Sequence, residues 1–300
     1  MITGILLGLG SAFLLSVSYL CSRWFSGRWP QGAVRLLVLA QIELGVLAAA
    51  LFFAVRPPQL APVEGFAGLV LGTSVFYLVG QACLFRALRQ ADASRLSPLL
   101  GLKILALAAF SAVFLSRHYT PVQWAAVGLS VAAAAVLARA GTVLRRRVLA
   151  WLLATVLFYS LTDLCIKALV DHFDALSLAR ASALSASLSY MVSGVLVLPL
   201  LLLIDRPRPR AWLEALPFAL AWFGGILLVF ACFAQIGVVF GGIVQSTRGV
   251  LSIGLGWLVA ALGHEHLEQR APARVVARRV LAAALMVAAI ALFSLGGVPG

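Results

Sequence analysis

Charge is scarce in this chain: only 11% of its 300 residues carry one, with 10 acids against 23 lysines and arginines. Hydrophobic residues make up 63% and mean hydropathy reaches +1.05, far more apolar surface than one soluble core of this length could hide. Cysteine is also sparse. Cys21, Cys83, Cys165 and Cys232 all lie in or beside apolar runs without a Cys-x-x-Cys, which argues against a disulfide framework and a zinc site and leaves them as small packing residues. A nucleophile elbow, a nucleotide-binding loop and a cluster of metal ligands are missing too, so neither an enzyme nor a cofactor is expected. Gly263-His264-Glu265-His266-Leu267-Glu268 lacks the His-Glu-x-x-His spacing and a further nearby ligand, and reads as a solvated turn rather than a metal site. The first apolar stretch has no basic region before it and Leu20 precedes Cys21, so it reads as a retained span and not a signal peptide.

What is present is a succession of apolar runs of about 20 residues, each long enough to cross a roughly 30 Å hydrocarbon layer. They fall near Ile2 to Tyr19, Leu36 to Val55, Val63 to Leu84, Leu96 to Leu115, Val122 to Ala138, Val148 to Lys167, Ala181 to Ile204, Trp212 to Ala234, Val238 to Leu262 and Val280 to Leu295. The fold expected is an all-α integral membrane protein of ten transmembrane helices. Arg56-Pro57-Pro58, Thr120-Pro121, Arg206-Pro207-Arg208-Pro209 and Ala271-Pro272 mark the turns between spans.

The net charge of +13 does not point to nucleic acid, because the arginines sit in short loops beside hydrophobic ends. Connections after odd-numbered spans hold Arg23, Arg28, Arg35, Arg86, Arg89, Arg95, Arg139, Arg145 to Arg147, Arg206, Arg208, Arg210, Arg270, Arg274, Arg278 and Arg279. Even-numbered connections hold only Arg56, Arg117, Lys167 and Arg180. The positive-inside rule then makes the odd connections cytoplasmic and leaves both termini outside, in a multi-pass protein of the cytoplasmic membrane. Trp24, Trp29, Trp151 and Trp212 sit at span ends on the same side, where interfacial aromatics belong.

An internal repeat emerges next. Leu20-Cys21-Ser22-Arg23 resembles Leu164-Cys165-Ile166-Lys167 at a shift of 144 positions, and Phe85 to Lys103 lies on Phe230 to Arg248 at a shift of 145, with Gln90 on Gln235. The halves, 1–144 and 145–300, hold five spans each. An odd number turns the second copy upside down, which is the sequence pattern of an inverted-repeat transporter with its site near the midplane between copies.

The chain here resembles the drug/metabolite transporter superfamily in its ten-helix form with two EamA-type domains. The resemblance is carried by Ala87 to Leu99 entering span four, Thr120-Pro121-Val122-Gln123-Trp124 entering span five and Gly263 to Leu267 closing span nine. Ser116-Arg117-His118 departs from the Gly-Glu often found there, and the second copy lacks a proline matching Pro98. What the resemblance implies is a transporter without enzymatic activity. In the phosphate-carrying branches, basic residues on spans four and nine hold the anion.

Arg248 and Lys103 are the bases at those places, related by the repeat, with Gln245 close to Arg248 in the same run. A charge at midspan is costly enough to mark a substrate path, a water-filled cavity or an intramembrane partner. Guanidinium grips a carboxylate or phosphate with two parallel hydrogen bonds, and ammonium adds a compact charge. Glu43 in span two and Asp163 in span six are the acids able to pair with them or to couple transport to protons. Thr73, Tyr77 and Gln81 share one face of span three, and Thr155, Tyr159 and Asp163 one face of span six; Tyr77 and Tyr159 are the wall residues most suited to a substrate. The serine stripe Ser182, Ser185, Ser189 and Ser193 reads as helix packing, as do Gly4/Gly8, Gly68/Gly72 and Gly237/Gly241.

The expected activity is secondary transport of a small anionic or zwitterionic metabolite by alternating access. An exporter of hydrophobic amines or drugs, with Glu43 or Asp163 at the substrate cation, and a flippase for an anionic lipid-linked sugar are the alternatives. The partners are a small-molecule substrate, with proton coupling or exchange, and the lipid bilayer; nucleic acid is not among them, and the sequence leaves the oligomeric state open.

Overall fold

The computed structural model describes residues 1–29, 31–58, 62–88, 100, 102–114, 118–138, 145–205, 207–261 and 273–296. Among these, every regular element is helical: α1 (Ile2–Arg28), α2 (Gly32–Val55), α3 (Val63–Leu88), α4 (Lys103–Phe114), α5 (Pro121–Ala138), α6 (Arg146–His172), α7 (Leu178–Val197), α8 (Pro209–Ile236), α9 (Val238–Ser246), α10 (Arg248–Ala261) and α11 (Ala273–Leu295). Six stretches are long and apolar enough to cross a membrane: Ile2–Arg28, Gly32–Val55, Val63–Leu84, Arg146–His172, Leu178–Leu203 and Pro209–Ile236. At 27 residues, α1 is about 40 Å long and exceeds the hydrocarbon thickness. Lys103–Val113, Pro121–Ala133 and Val280–Leu295 are shorter apolar helices. Most of Ala87 to Leu99, together with Ser116-Arg117 and Gly263 to Glu268, lies outside the described residues.

Local chemistry explains where helices start and stop. At the head of α5, Thr120 N donates to Gln123 Oε1 at 2.9 Å and Gln123 N donates to Thr120 Oγ1 at 3.3 Å, a reciprocal capping box with Pro121 at the first helical position. Pro199 has no N–H to continue the α-helical ladder, so α7 gives way to a 3₁₀ turn over Leu198–Leu203 within the span expected to run to Ile204. The span expected as one helix from Val238 to Leu262 is interrupted at Thr247. Its cause is local: Ser246 Oγ donates to the Ile243 carbonyl at 2.5 Å and Thr247 Oγ1 to the Val244 carbonyl at 2.7 Å, and both hydroxyls compete with the ladder. Gly237 alone joins α8 to α9. Its φ of 77° and ψ of 166° fall in a region that essentially only glycine occupies.

The long helices pack in antiparallel pairs. Along α1 and α8, Gly4 meets Ile236, Gly8 meets Cys232 and Gly225 meets Leu15; along α3 and α6, Gly65 meets His172, Gly72 meets Cys165 and Gly80 meets Tyr159. Helices α2 and α7 cross at Gly45 and Gly194, whose backbones touch, and α5 packs along α11. The four cysteines are free thiols, and Cys165 and Cys232 fill these seams as packing residues. The expected serine stripe of α7 is buried between helices, where Ser189 Oγ donates to Ser185 O and Ser193 Oγ to Ser189 O, both at 2.9 Å. Polarity is reversed relative to a soluble protein, with serines and glutamines inside and Leu202, Leu203, Leu213 and Val113 facing outward.

The helix ends sort into two faces. On one face, Glu214 of α8 ties down the end of α1: it accepts from Trp29 Nε1 at 2.8 Å, Arg210 Nε at 2.9 Å and Arg28 Nη1 at 3.3 Å. Arg35 pairs with Asp205 there as well, Nη2 to Oδ2 3.7 Å. On the other face, Arg180 Nε donates to the Val55 carbonyl at 2.9 Å, so a cation caps the negative end of α2. Met1 to Gly4 and Gly296 lie on this second face, beside Gln235 and Thr120.

Gly237→Ala is expected to destabilise the protein by roughly 1–3 kcal/mol through backbone strain, since its Cβ would meet no atom within 4 Å. Gly128→Ala, in open space within α5, serves as the control and is expected to be neutral or stabilising by up to about 1 kcal/mol. Thermal unfolding of the two variants in the same detergent measures the difference.

Candidate functional site

Helices α4 and α10 both begin on a base, Lys103 and Arg248, the two residues related by the 145-residue shift. From the head of α4, Lys103 reaches α6, where its Nζ lies 2.5 Å from Asp163 Oδ2. The Asp163 side chain is 9% exposed and that of Lys103 27%, so the pair is sealed on the acid's side and open on the base's. Lys103 Nζ also stands 5.9 Å from the ring centroid of Tyr159, one helical turn before Asp163.

Arg248 is held differently. Its Cζ lies 5.1 Å from the ring centroid of Tyr19 on α1, and its backbone carbonyl accepts from Ser16 Oγ at 3.2 Å. No carboxylate lies within ion-pair distance of it among the described residues, although Asp163 and Tyr159 feel its charge. Gln245 Nε2 donates to the Gly8 carbonyl at 3.4 Å, a second tie between this broken span and α1. Applying the 144-residue shift to Asp163 gives Tyr19. Both contacts join residues 1–144 to residues 145–300: Lys103 meets Asp163 in an ion pair, and Arg248 meets Tyr19 in a cation–π contact.

Around these charges stands an aromatic wall. Tyr77 and Tyr159 stack with centroids 6.3 Å apart, and Tyr77 meets Tyr190 at 5.9 Å. The Tyr77 hydroxyl accepts from Gln41 Nε2 at 2.9 Å and Gln81 Nε2 at 3.0 Å; Tyr190 Oη accepts from Trp222 Nε1 at 3.2 Å. Tyr77 and Tyr159 lie deep in the bundle yet keep part of their surface accessible, as residues of a crevice wall do. Gly80 makes room for the stack, because a Cβ there would come within 2.7 Å of the Tyr159 ring.

The structure thus brings Lys103, Asp163, Tyr77, Tyr159 and Arg248 into one neighbourhood. Glu43 stands apart: it forms no ion pair with either base, and its Oε2 is buried without a hydrogen-bond partner among the described residues. Sequence reasoning missed Tyr19, Tyr190, Gln41 and Gly80 as members of this neighbourhood. The repeat shift carries a signal for Tyr19, as the partner position of Asp163; the others come together only through packing of α2, α3 and α7. A cavity of about 330 Å³ lined by Arg28, Trp29, Arg208, Arg210 and Glu214 is a separate notch at the arginine-rich face, away from Lys103 and Arg248.

With six membrane-length helices among the described residues, this is a multi-pass membrane protein. Residues 2–139, just under half of the chain, match the model of the EamA-like transporter family. That match stops short of residues 145–300, where the second EamA-type domain is expected. A solved crystal structure of another protein, 18% identical, aligns over 98% of this chain and 97% of its own with a TM-score of 0.71, so the two share a fold. No curated protein matches the chain.

Tyr77→Phe removes the acceptor shared by Gln41 and Gln81 and leaves two amide donors without it. A loss of roughly 1–3 kcal/mol is expected, measured as a lower unfolding midpoint in detergent. An unchanged midpoint would mean that the amides find other acceptors.

Proposed function

We propose that the protein is a secondary transporter that moves a small anionic or zwitterionic metabolite across the cytoplasmic membrane by alternating access. Arg248 is the observation that carries this proposal. A guanidinium inside an apolar bundle costs several kcal/mol, and this one has no carboxylate at ion-pair distance among the described residues. Such a charge is retained where an anion arrives to meet it. Arg248 and Lys103 would contact the substrate, Gln245 would orient the broken span that bears Arg248, and Tyr77 and Tyr159 would supply the wall.

The pairing of helices supports two inverted units, 1–144 and 145–300, within a ten-helix plan. Exchanging each span of the first half with its counterpart in the second turns the α1/α8 pair into the α6/α3 pair, and returns α2/α7 and α5/α11 to themselves. Antiparallel seams in all these pairs suit a two-fold axis lying in the membrane plane. The break at Thr247 sets Arg248 at the head of α10, a place where a short helix can rock against its neighbours. By its arginines, the face bearing Arg28, Arg208 and Arg210 is cytoplasmic, which puts both termini outside.

Glu43 is the acid suited to coupling, since a carboxyl outside any ion pair among the described residues can take up and release a proton without breaking one. An amine exporter would put its substrate cation at Glu43 or Asp163; it fits less well at Asp163, where the cation would have to displace Lys103 while facing Arg248. A flippase for an anionic lipid-linked sugar would use the same bases but needs a lateral opening between helices.

Anions such as carboxylates and sugar phosphates are expected to raise the unfolding temperature of the purified wild type. At a hundred times the dissociation constant the gain is about 2.7 kcal/mol. Arg248→Gln is expected to fold and to lose that gain. If organic cations alone stabilise, and equally in both proteins, the anion-carrier proposal fails.

A further inference from the structure

We infer that the site is set for a single negative charge, that its substrate is a monoanion of the monocarboxylate class rather than a phosphate dianion, and that Asp163 imposes the limit. This rests on the proposed anion site and specifies its ligand.

The charges at the site are few. Lys103 is positive and already meets a carboxylate, Asp163 Oδ2, at 2.5 Å. Arg248 is positive and its guanidinium meets the face of Tyr19, with no carboxylate at ion-pair distance among the described residues. The remaining neighbours are Tyr77, Tyr159, Tyr190 and Gln245, which carry aromatic, hydroxyl or amide groups and no formal charge. Among the described residues, and with Glu43 standing apart, two bases and one acid leave one positive charge for the substrate.

Asp163 is in effect a tethered anion. It occupies Lys103 as a substrate carboxylate would, and it repels a second negative charge arriving at the same base. At Arg248 the place related to Asp163 holds no acid, because Tyr19 stands there. That difference makes the two bases unequal: Arg248 is the primary contact, and Lys103 is balanced in advance. A dianion would need both bases and would have to come close to the Asp163 carboxylate to reach the second. Lys103 then belongs to the site by cancelling Asp163, and removing the pair together leaves the charge balance intact.

The test uses two probes that share a ring and differ in charge, benzoate and phenyl phosphate, titrated by calorimetry into purified full-length protein at pH 8. Wild type is expected to bind benzoate more tightly. Asp163→Asn frees Lys103 and is expected to invert the preference, with phenyl phosphate gaining about tenfold or more. Lys103→Gln leaves Asp163 facing Arg248 and is expected to lose both probes, even though Arg248 is intact. The double variant Lys103→Gln/Asp163→Asn is expected to bind benzoate at least about tenfold more tightly than Lys103→Gln, because no carboxylate is then left facing Arg248. Asp163→Glu keeps the charge and is expected to keep the preference.

Two results overturn the inference: an unchanged probe ratio in folded Asp163→Asn, or a folded double variant that binds benzoate no better than Lys103→Gln. Should Asp163→Asn fail to fold, the double variant decides alone. Arg248→Gln separates this from the underlying proposal. If it abolishes benzoate binding while Asp163→Asn leaves the ratio unchanged, the anion site stands and the charge limit falls; if it binds benzoate as wild type does, the anion site itself falls.

Discussion

Lipid offers no solvent for a charge, so every ionic group within the bundle has to be met by another group of the same chain or by something that enters. The Lys103–Asp163 pair answers that constraint internally. Held at 2.5 Å, it fastens the head of α4 to α6 and neutralises a base that would otherwise stand in an apolar interior. Arg248 answers it only in part, through the face of Tyr19 and the ties that Ser16 and Gln245 make to α1. The imbalance between these two bases is the physical basis of the proposed transport site. Tyr77, Tyr159 and Tyr190 surround it with aromatic surface, and Gln41 and Gln81 hold the central ring by its hydroxyl.

The architecture around it is built from close approaches rather than from hydrophobic collapse. Lipid tails are as apolar as leucine, so helices associate where small residues let backbones touch and where hydroxyls find carbonyls across an interface. Gly45 against Gly194 and Ser74 Oγ donating to the Ser189 carbonyl at 2.8 Å are contacts of this kind. Where helices must bend, the device is equally local. A missing N–H at Pro199, a positive φ at Gly237 and two hydroxyls at Ser246 and Thr247 interrupt ladders that apolar residues alone would have continued.

Much of this was legible in the sequence, and the limits of legibility follow from physics. The long apolar runs predict where helices lie, since a membrane rewards length and hydropathy. Thr120 and Gln123 announce the start of α5 by their spacing. The run from Val238 to Leu262 was equally apolar, yet it reads as one span only while hydropathy is considered; the competing hydroxyls of Ser246 and Thr247 break it just before Arg248. Arg248, Lys103 and Asp163 stood out because charge is rare here. Tyr190, Gln41 and Gly80 did not, because an aromatic, an amide or a glycine in a membrane helix is ordinary until its neighbours are known.

By itself the sequence determined the class, an all-helical protein of the membrane, and it suggested the repeat by which Lys103 would correspond to Arg248. Those properties depend on composition, period and spacing, which are local or additive along the chain. Only the tertiary structure decided that Asp163 neutralises Lys103, that Glu43 meets neither base, and that Tyr19 takes the acid's place beside Arg248. Each of these is a choice among partners far apart in the chain. Such a choice is made by the packing of α1, α4, α6 and α10 against one another, which no single stretch of residues encodes.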